Sequence, residues 1–137
     1  MRRYDRLELG GQKVRDACSS ASGNTVFLSD LTSVEMASAV GRKVRDGEYT
    51  REDGQWIWSL FRSHWRDQYK VIHFSPAIQR RSEWLIFTYP LRASDAIHVA
   101  TAIEEARVSE RQLPEFWTAD VRQAHAAEAV GLLVTLL

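Results

Sequence analysis

The sequence predicts an α/β fold in which a parallel sheet is covered by helices. Short apolar runs recur along the chain, and stretches whose apolar residues have helical spacing lie between them. Strands that alternate with helices form parallel sheets, because a parallel pair needs a long crossover connection. A length of 137 residues suits one domain. We therefore expect a single α/β domain over residues 1–137.

Four apolar runs are the predicted strands, at residues 25–28, 71–74, 115–118 and 132–137. The first of them comes after the turn-forming cluster Ser22-Gly23-Asn24. All four runs are short and nearly all apolar, which is typical of strands that are buried on both faces of a sheet. We expect the same burial here.

The predicted helices occupy residues 31–44, 52–69, 75–88, 93–107 and 120–130. Pro76 suits the first position of a helix, whereas Gly47 and Gly131 suit the position just past a helix end. In the second helix, apolar residues fall along one side. There we expect Trp56 and Trp58 at helix–helix or dimer contacts, because aromatic residues are enriched at interfaces.

Charge and composition narrow the function classes. The 18 basic and 18 acidic residues cancel, so any contact with RNA must come from a local basic patch. Two groups of basic residues could form such a patch. One is Arg80 and Arg81, and the other consists of Arg2, Arg3, Arg6, Lys13 and Arg15. No apolar run approaches the roughly 20 residues of a membrane span. A lone Cys18 cannot form an internal disulfide, which suits a cytoplasmic protein. From these two observations we expect a cytoplasmic protein with no membrane segment.

Three acidic residues each have a structural explanation when taken alone. Glu35 stands three positions after Thr32, which is a capping-box pattern. Asp95 lies near the start of a predicted helix, where the helix dipole favours a carboxylate. Asp120 directly precedes another helix and has Gln123 three positions on, which is typical of a helix cap.

Together, the three acids suggest a metal site. Glu35 and Asp120 lie shortly after predicted strands, and Asp95 opens a helix of the same alternating pattern. Segments that leave the carboxyl ends of parallel strands meet at one edge of the sheet. Carboxylates gathered there repel one another unless a cation lies among them, and Mg²⁺ or Mn²⁺ is the natural choice for oxygen ligands. Such an ion can activate water for attack on a phosphodiester.

A family resemblance supports this interpretation. Residues 91–102, Leu-Arg-Ala-Ser-Asp-Ala-Ile-His-Val-Ala-Thr-Ala, closely resemble the L-R-x-x-D-A-x-H-x-A-x-A segment of PIN-domain toxins of the VapC type. The segment ending at Glu35 resembles the second acidic motif of that family, and Thr118-Ala119-Asp120 resembles its T-x-D motif. The order and spacing of the motifs agree over about residues 10–137.

The resemblance implies a PIN-like fold and an endoribonuclease that hydrolyses RNA phosphodiester bonds with Mg²⁺ or Mn²⁺. Glu35, Asp95 and Asp120 would be its catalytic and metal-binding residues. Thr118 would help to hold a ligand or a water molecule, and Arg92 or Arg122 would steer phosphate. The family also implies a homodimer and a cognate antitoxin whose tail blocks the acidic pocket.

The N-terminus departs from the family pattern. Members of the family begin with a central strand that ends in Asp-x-Ser/Thr, and residues up to Arg15 of this chain resemble the family's next segment after that strand. Residues 2–9 are too charged for a buried strand, so Asp5 is not expected to replace the aspartate. We therefore expect a PIN-like domain without its N-terminal strand. A start codon placed too late and a degraded toxin gene both stay open as explanations.

Two other hypotheses compete with the nuclease. One is a catalytically inactive PIN-like module that still binds an antitoxin or another protein, and it predicts a stable complex without metal-dependent cleavage. The other is a plain interaction protein whose acids only cap helices. Substitution of Glu35 or Asp120 would then change helix stability and nothing else.

Overall fold

The computed structural model describes residues 9–109 and 114–137. Asp5, which was not expected to replace the family's first aspartate, lies outside these described residues. The basic residues Arg2, Arg3 and Arg6 lie outside them as well. The helices and strands are, in chain order, α1 (Leu9–Cys18), β1 (Val26–Ser29), α2 (Leu31–Arg45), α3 (Arg51–Asp67), β2 (Tyr69–Ile72), α4 (Pro76–Thr88), α5 (Ala93–Val108), β3 (Glu115–Thr118), α6 (Val121–Ala129) and β4 (Leu133–Leu136).

The described strands form two separate parallel pairs. β1 pairs with β2 in the register Val26 to Tyr69, and β3 pairs with β4 in the register Glu115 to Leu133. The mixed α/β class and the parallel pairing are therefore confirmed. The prediction of one continuous sheet is not, because the described residues contain two sheets of two strands each.

The strands are less buried than the sequence predicts. In β1 only Ser29 is buried, and Phe27 is exposed. In β4 both Leu133 and Leu136 keep about half of their surface in solvent, at 55% and 50%. The prediction of burial on both faces is wrong for these strands. In a two-stranded sheet every strand is an edge strand, so one side of each has no neighbouring strand within its own sheet.

The chain divides into two compact units. The first contains Phe74–Leu137 together with α1, and the second contains Gly23–His73. The core of the first unit lies where α4 packs against α5. Ile78, Leu85 and Val99 are its largest fully buried side chains. Five alanines are also fully or almost fully buried, and small side chains at such positions allow close packing: Ala96, Ala100, Ala124, Ala126 and Ala127.

The second unit is built around the contact between α2 and α3. Val40 and Gly54 are buried there, and the absence of a Cβ on Gly54 leaves room for Val44. Ring contacts link Trp58 to Phe61, and Phe61 to Trp65, along α3.

The structure also tests the placement of the aromatic residues on α3. Trp58 lines a groove between α2 and α3, and its ring contacts Phe61 of its own helix. Trp56, which was predicted at a helix–helix or dimer contact, is 59% exposed, and Leu60 on the same helix is 42% exposed. No helix in the described ranges combines the length and apolar character that crossing a bilayer demands.

Several helix boundaries differ from the predicted ones. α2 begins at Leu31 after Asp30, so Thr32 lies inside the helix and the predicted capping box with Glu35 is wrong. A capping box does form at α3, where the Thr50 and Asp53 side chains each accept the other residue's backbone N–H.

The end of α3 and the helix α1 also depart from the prediction. α3 ends at Asp67, two residues early, because Tyr69 already belongs to β2. Helix α1 was not predicted at all, since Gly10 and Gly11 disfavour a helix.

Candidate functional site

Asp120 connects the end of β3 to the start of α6. Its carboxylate atom Oδ1 accepts the backbone N–H of Arg122 at 2.8 Å and that of Gln123 at 3.1 Å. The first turn of a helix has N–H groups without intrahelical acceptors, and this side chain satisfies two of them. The predicted helix cap at Asp120 is confirmed. Its second oxygen, Oδ2, lies near the guanidinium groups of two arginines.

Asp95 lies in the first turn of α5, as predicted, and its side chain is only 16% exposed. Its Oδ2 is 3.3 Å from Nε of Arg92, the residue that precedes the helix. Its backbone carbonyl accepts a hydrogen bond from the side-chain amide of Gln123 at 3.3 Å. Gln123 therefore connects α6 to the first turn of α5.

Arg92 brings the two aspartates together. Its guanidinium contacts Asp95 through Nε, and its Nη2 is 4.0 Å from Oδ2 of Asp120. Arg122 approaches the same oxygen of Asp120 at 3.7 Å through its own Nη2. Asp95 and Asp120, which we call the carboxylate pair, are thus held around arginine side chains although they are 25 positions apart in sequence.

A buried hydrogen-bond network supports the carboxylate pair. The Thr118 hydroxyl donates to Oε1 of Gln123 at 2.5 Å and accepts the backbone N–H of Asp120 at 3.0 Å. Thr118 and Gln123 are both buried, at 7% and 8% exposure. The network fixes the turn between β3 and α6, and through Gln123 it reaches the backbone of Asp95.

The electrostatic setting favours the ionised form of Asp120. The hydrogen bond from the Gln123 backbone is the main cause that lowers the pKa of this carboxyl below its ordinary value. Partial burial opposes the shift, while the Arg122 backbone N–H and the charges of Arg122 and Arg92 add to it. Asp120 is therefore a carboxylate throughout the neutral range.

Glu35, the third predicted site residue, belongs to the second unit. It lies in the second turn of α2, where its side chain is exposed. The structure thus brings together Asp95 and Asp120 within the first unit. No group of three or more His, Cys, Asp or Glu side chains able to hold one ion occurs in residues 9–109 and 114–137.

The oxygens of the carboxylate pair are of the type that hard divalent cations prefer. Mg²⁺ commonly uses one or two carboxylates and keeps several water ligands, so two aspartates are compatible with it. Arg92 contacts both carboxylates, and a cation there would compete with its guanidinium. In donor chemistry, Asp95 and Asp120 fit the metal that the family resemblance implies.

Two roles in this site were missed by the sequence. Arg92 was expected to steer phosphate, but it contacts the carboxylates. Its spacing of three positions from Asp95 was the sequence signal that could have predicted this ion pair. Gln123 was expected only as part of a cap, yet its side chain bridges two helices. No local pattern predicts that bridge, because its partner lies 28 positions away.

No family model, no curated protein and no solved structure matches this chain. The chemistry of the site therefore has to be inferred from its own side chains and their geometry.

Proposed function

We propose that this protein is a metal-dependent endoribonuclease of the PIN-domain, VapC-toxin type, acting on RNA as a homodimer under the control of a cognate antitoxin. The observation that supports the proposal is the carboxylate pair at the end of β3 and the start of α5. Two acids that each have a local explanation both contact the guanidinium of Arg92. The end of a parallel strand is also where α/β folds bind ligands.

In this proposal Asp95 and Asp120 hold Mg²⁺ or Mn²⁺, and the part predicted for Glu35 is a separate question for mutagenesis. When bound, the ion supplies an activated water and stabilises charge that develops on the phosphodiester. The chain's own residues orient the site. The Thr118 hydroxyl accepts the backbone N–H of Asp120, and the backbone N–H groups of Arg122 and Gln123 both donate to Oδ1 of Asp120, so Oδ2 is the oxygen that remains for a ligand. Arg122, whose Nη2 lies 3.7 Å from Oδ2 of Asp120, supplies a guanidinium beside the site for a phosphate.

The test is cleavage of a labelled single-stranded RNA by the purified chain with Mg²⁺ or Mn²⁺, with and without a chelator. Asp95→Asn preserves shape but removes the charge, and we expect it to lose at least roughly 100-fold in rate, as removal of a key electrostatic group does. The matched control is Asp67→Asn, because Asp67 is an exposed aspartate on α3. Thermal unfolding checks that both variants are folded.

The outcome that rejects this assignment is equal cleavage by wild type and Asp95→Asn. Cleavage that persists in the chelator would reject the metal. Glu35→Gln, measured in the same assay, asks separately whether the third acid takes part.

One observation favours the second candidate, a catalytically inactive PIN-like module that binds an antitoxin or another protein. Arg92 already contacts both carboxylates, so the pair has a counter-charge without any ion. This candidate predicts no cleavage and no Mn²⁺ binding in titration calorimetry. Mn²⁺ binding that Asp95→Asn abolishes would instead favour the nuclease.

A further inference from the structure

A groove on the first unit, away from the carboxylate pair in sequence, carries an unusual combination of groups. It lies between α4 and α5, which pack directly against each other. The residues that line this α4–α5 groove are Ala77, Arg80, Arg81, Trp84, Glu104 and Arg107. Three arginines and an indole ring therefore surround one carboxylate.

The charges in the α4–α5 groove do not balance. Glu104 accepts Nε of Arg81 at 2.6 Å and Nη1 of Arg107 at 3.0 Å, so one carboxylate serves two guanidinium groups. Arg80 is exposed and makes no ion pair within the described residues. Burial by itself would raise the pKa of Glu104, but the hydrogen bonds and charges of Arg81 and Arg107 outweigh it and lower that pKa. With Glu104 ionised, three positive charges face one negative charge.

Trp84 presents an aromatic surface in the same groove. About half of its surface, 51%, is exposed to solvent. The Tyr89 ring meets the indole at 80° with the ring centroids 6.1 Å apart, and this contact restrains the orientation of the indole. An exposed, restrained ring beside guanidinium groups is the arrangement on which nucleic-acid bases stack.

We infer that the α4–α5 groove binds single-stranded RNA, with Arg80 and Arg107 contacting phosphates and Trp84 stacking on a base. A peptide of acidic residues alone would satisfy the arginines but has no flat aromatic group for the indole. Duplex RNA keeps its bases inside the helix, so it offers phosphates alone. The inference rests on the proposed function for its biological substrate, since the groove would hold the strand that the carboxylate pair cleaves.

The experiment measures binding without cleavage, so it does not depend on catalysis. A fluorescein-labelled oligouridylate of about ten nucleotides is titrated with the full chain in the presence of a chelator, and anisotropy gives the Kd. Duplex RNA of the same length and a polyglutamate peptide are titrated in parallel. We expect the single strand to bind more tightly than either.

Variants then locate the binding site. Trp84→Ala should weaken binding about 5- to 150-fold, as loss of one stacked base does, while Trp84→Phe should retain most of the affinity. Arg80→Gln and Arg107→Gln should each lower the slope of log K against log salt by about 0.7. Ala77→Glu should also weaken binding, and a glutamate is well tolerated in the first turn of a helix.

The matched controls lie in the second unit. Trp56→Ala removes an indole that is 59% exposed, and Arg45→Gln removes an exposed arginine. Neither should change the Kd. Thermal unfolding checks that each variant is folded. If Trp84→Ala does not fold, Ala77→Glu still tests the groove.

Three results would overturn the inference. They are equal affinity for the single strand and the polyglutamate peptide, equal losses in Trp84→Ala and Trp56→Ala, and full binding by Ala77→Glu. Failure of the proposed function has a different signature, because RNA would bind in the α4–α5 groove and Asp95→Asn would have no effect on any activity.

Discussion

The two units of this chain contain the same kinds of element but bury them differently. Each has one parallel pair of strands and at least two helices. In the first unit, α4, α5 and α6 bury large apolar side chains and alanines completely. In the second unit, Val40 is the buried apolar side chain among the described residues, and rings along α3 make partial contacts instead. Stability is therefore concentrated in the helices that carry the carboxylate pair and the α4–α5 groove.

The largest expected effect is the loss of a core side chain in the first unit. Leu85 is fully buried on α4, so Leu85→Ala should lower the free energy of unfolding by about 2–5 kcal/mol, through lost burial and the cavity it leaves. Leu60 on α3 is 42% exposed, so Leu60→Ala should lower the free energy of unfolding by less than about 1 kcal/mol. Urea unfolding of the two variants measures the contrast. Equal losses would contradict the uneven burial.

A smaller effect tests how the second unit is packed. A Cβ added at Gly54 would lie 2.6 Å from Cγ2 of Val44, so Gly54→Ala should cost about 1–3 kcal/mol although alanine favours helices. At Gly41 the nearest atom is the flexible end of Arg45, 3.3 Å away, and Gly41→Ala should be neutral or stabilising.

The pair of glycine variants has a built-in check. Adding Val44→Ala should recover most of the loss caused by Gly54→Ala, because it removes the atom that would clash. A double-mutant cycle of urea unfolding gives the coupling. If stability is not recovered, the clash with Val44 is not the cause of the loss in Gly54→Ala.

The smallest effect compares the helix caps of the two units. The Asp120 cap of α6 depends on an ionised group, and its pKa is lowered in the folded state. Its contribution is therefore fully present above the ordinary aspartate pKa and is lost as the pH falls through the lowered value. Wild type should be more stable than Asp120→Asn at neutral pH, and the gap should close in acid.

The cap of α3 provides the contrast. There the Thr50 hydroxyl accepts the backbone N–H of Asp53, and a hydroxyl does not titrate in this range. Thr50→Ala should reduce stability by about 0.5–2 kcal/mol at neutral pH, and most of that loss should persist in acid. A gap between wild type and Asp120→Asn that is the same at every pH would contradict the role given to the Asp120 charge.

Local patterns predicted the helices and strands well where the signal was local. The strand Glu115–Thr118 and the start of α5 at Ala93 match their predicted positions, as does the cap at Asp120. The capping role predicted for Thr32 failed because the helix begins at Leu31, directly after Asp30, whose side chain makes no cap hydrogen bond. The start of this helix depends on where the preceding strand ends, at Ser29, which the local pattern does not contain.

Long-range features could not be predicted in the same way. The division into two strand pairs depends on which strands become neighbours, and short apolar runs carry no such information. In the candidate site, the positions of Asp95 and Asp120 were predictable from the motifs, whereas the Gln123 bridge depends on the packing of α6 against α5. The ion pair of Arg81 with Glu104 spans 23 positions and was missed for the same reason.

The two strand pairs also impose different demands on the unfolded chain. β1 and β2 join Val26 to Tyr69, 43 positions apart, whereas β3 and β4 join Glu115 to Leu133, only 18 positions apart. Bringing the ends of the longer segment together costs roughly 0.8 kcal/mol more free energy, through lost chain entropy, than for the shorter segment. The β3–β4 pair, with the Asp120 turn between its strands, therefore has the smaller loop-closure cost of the two pairs.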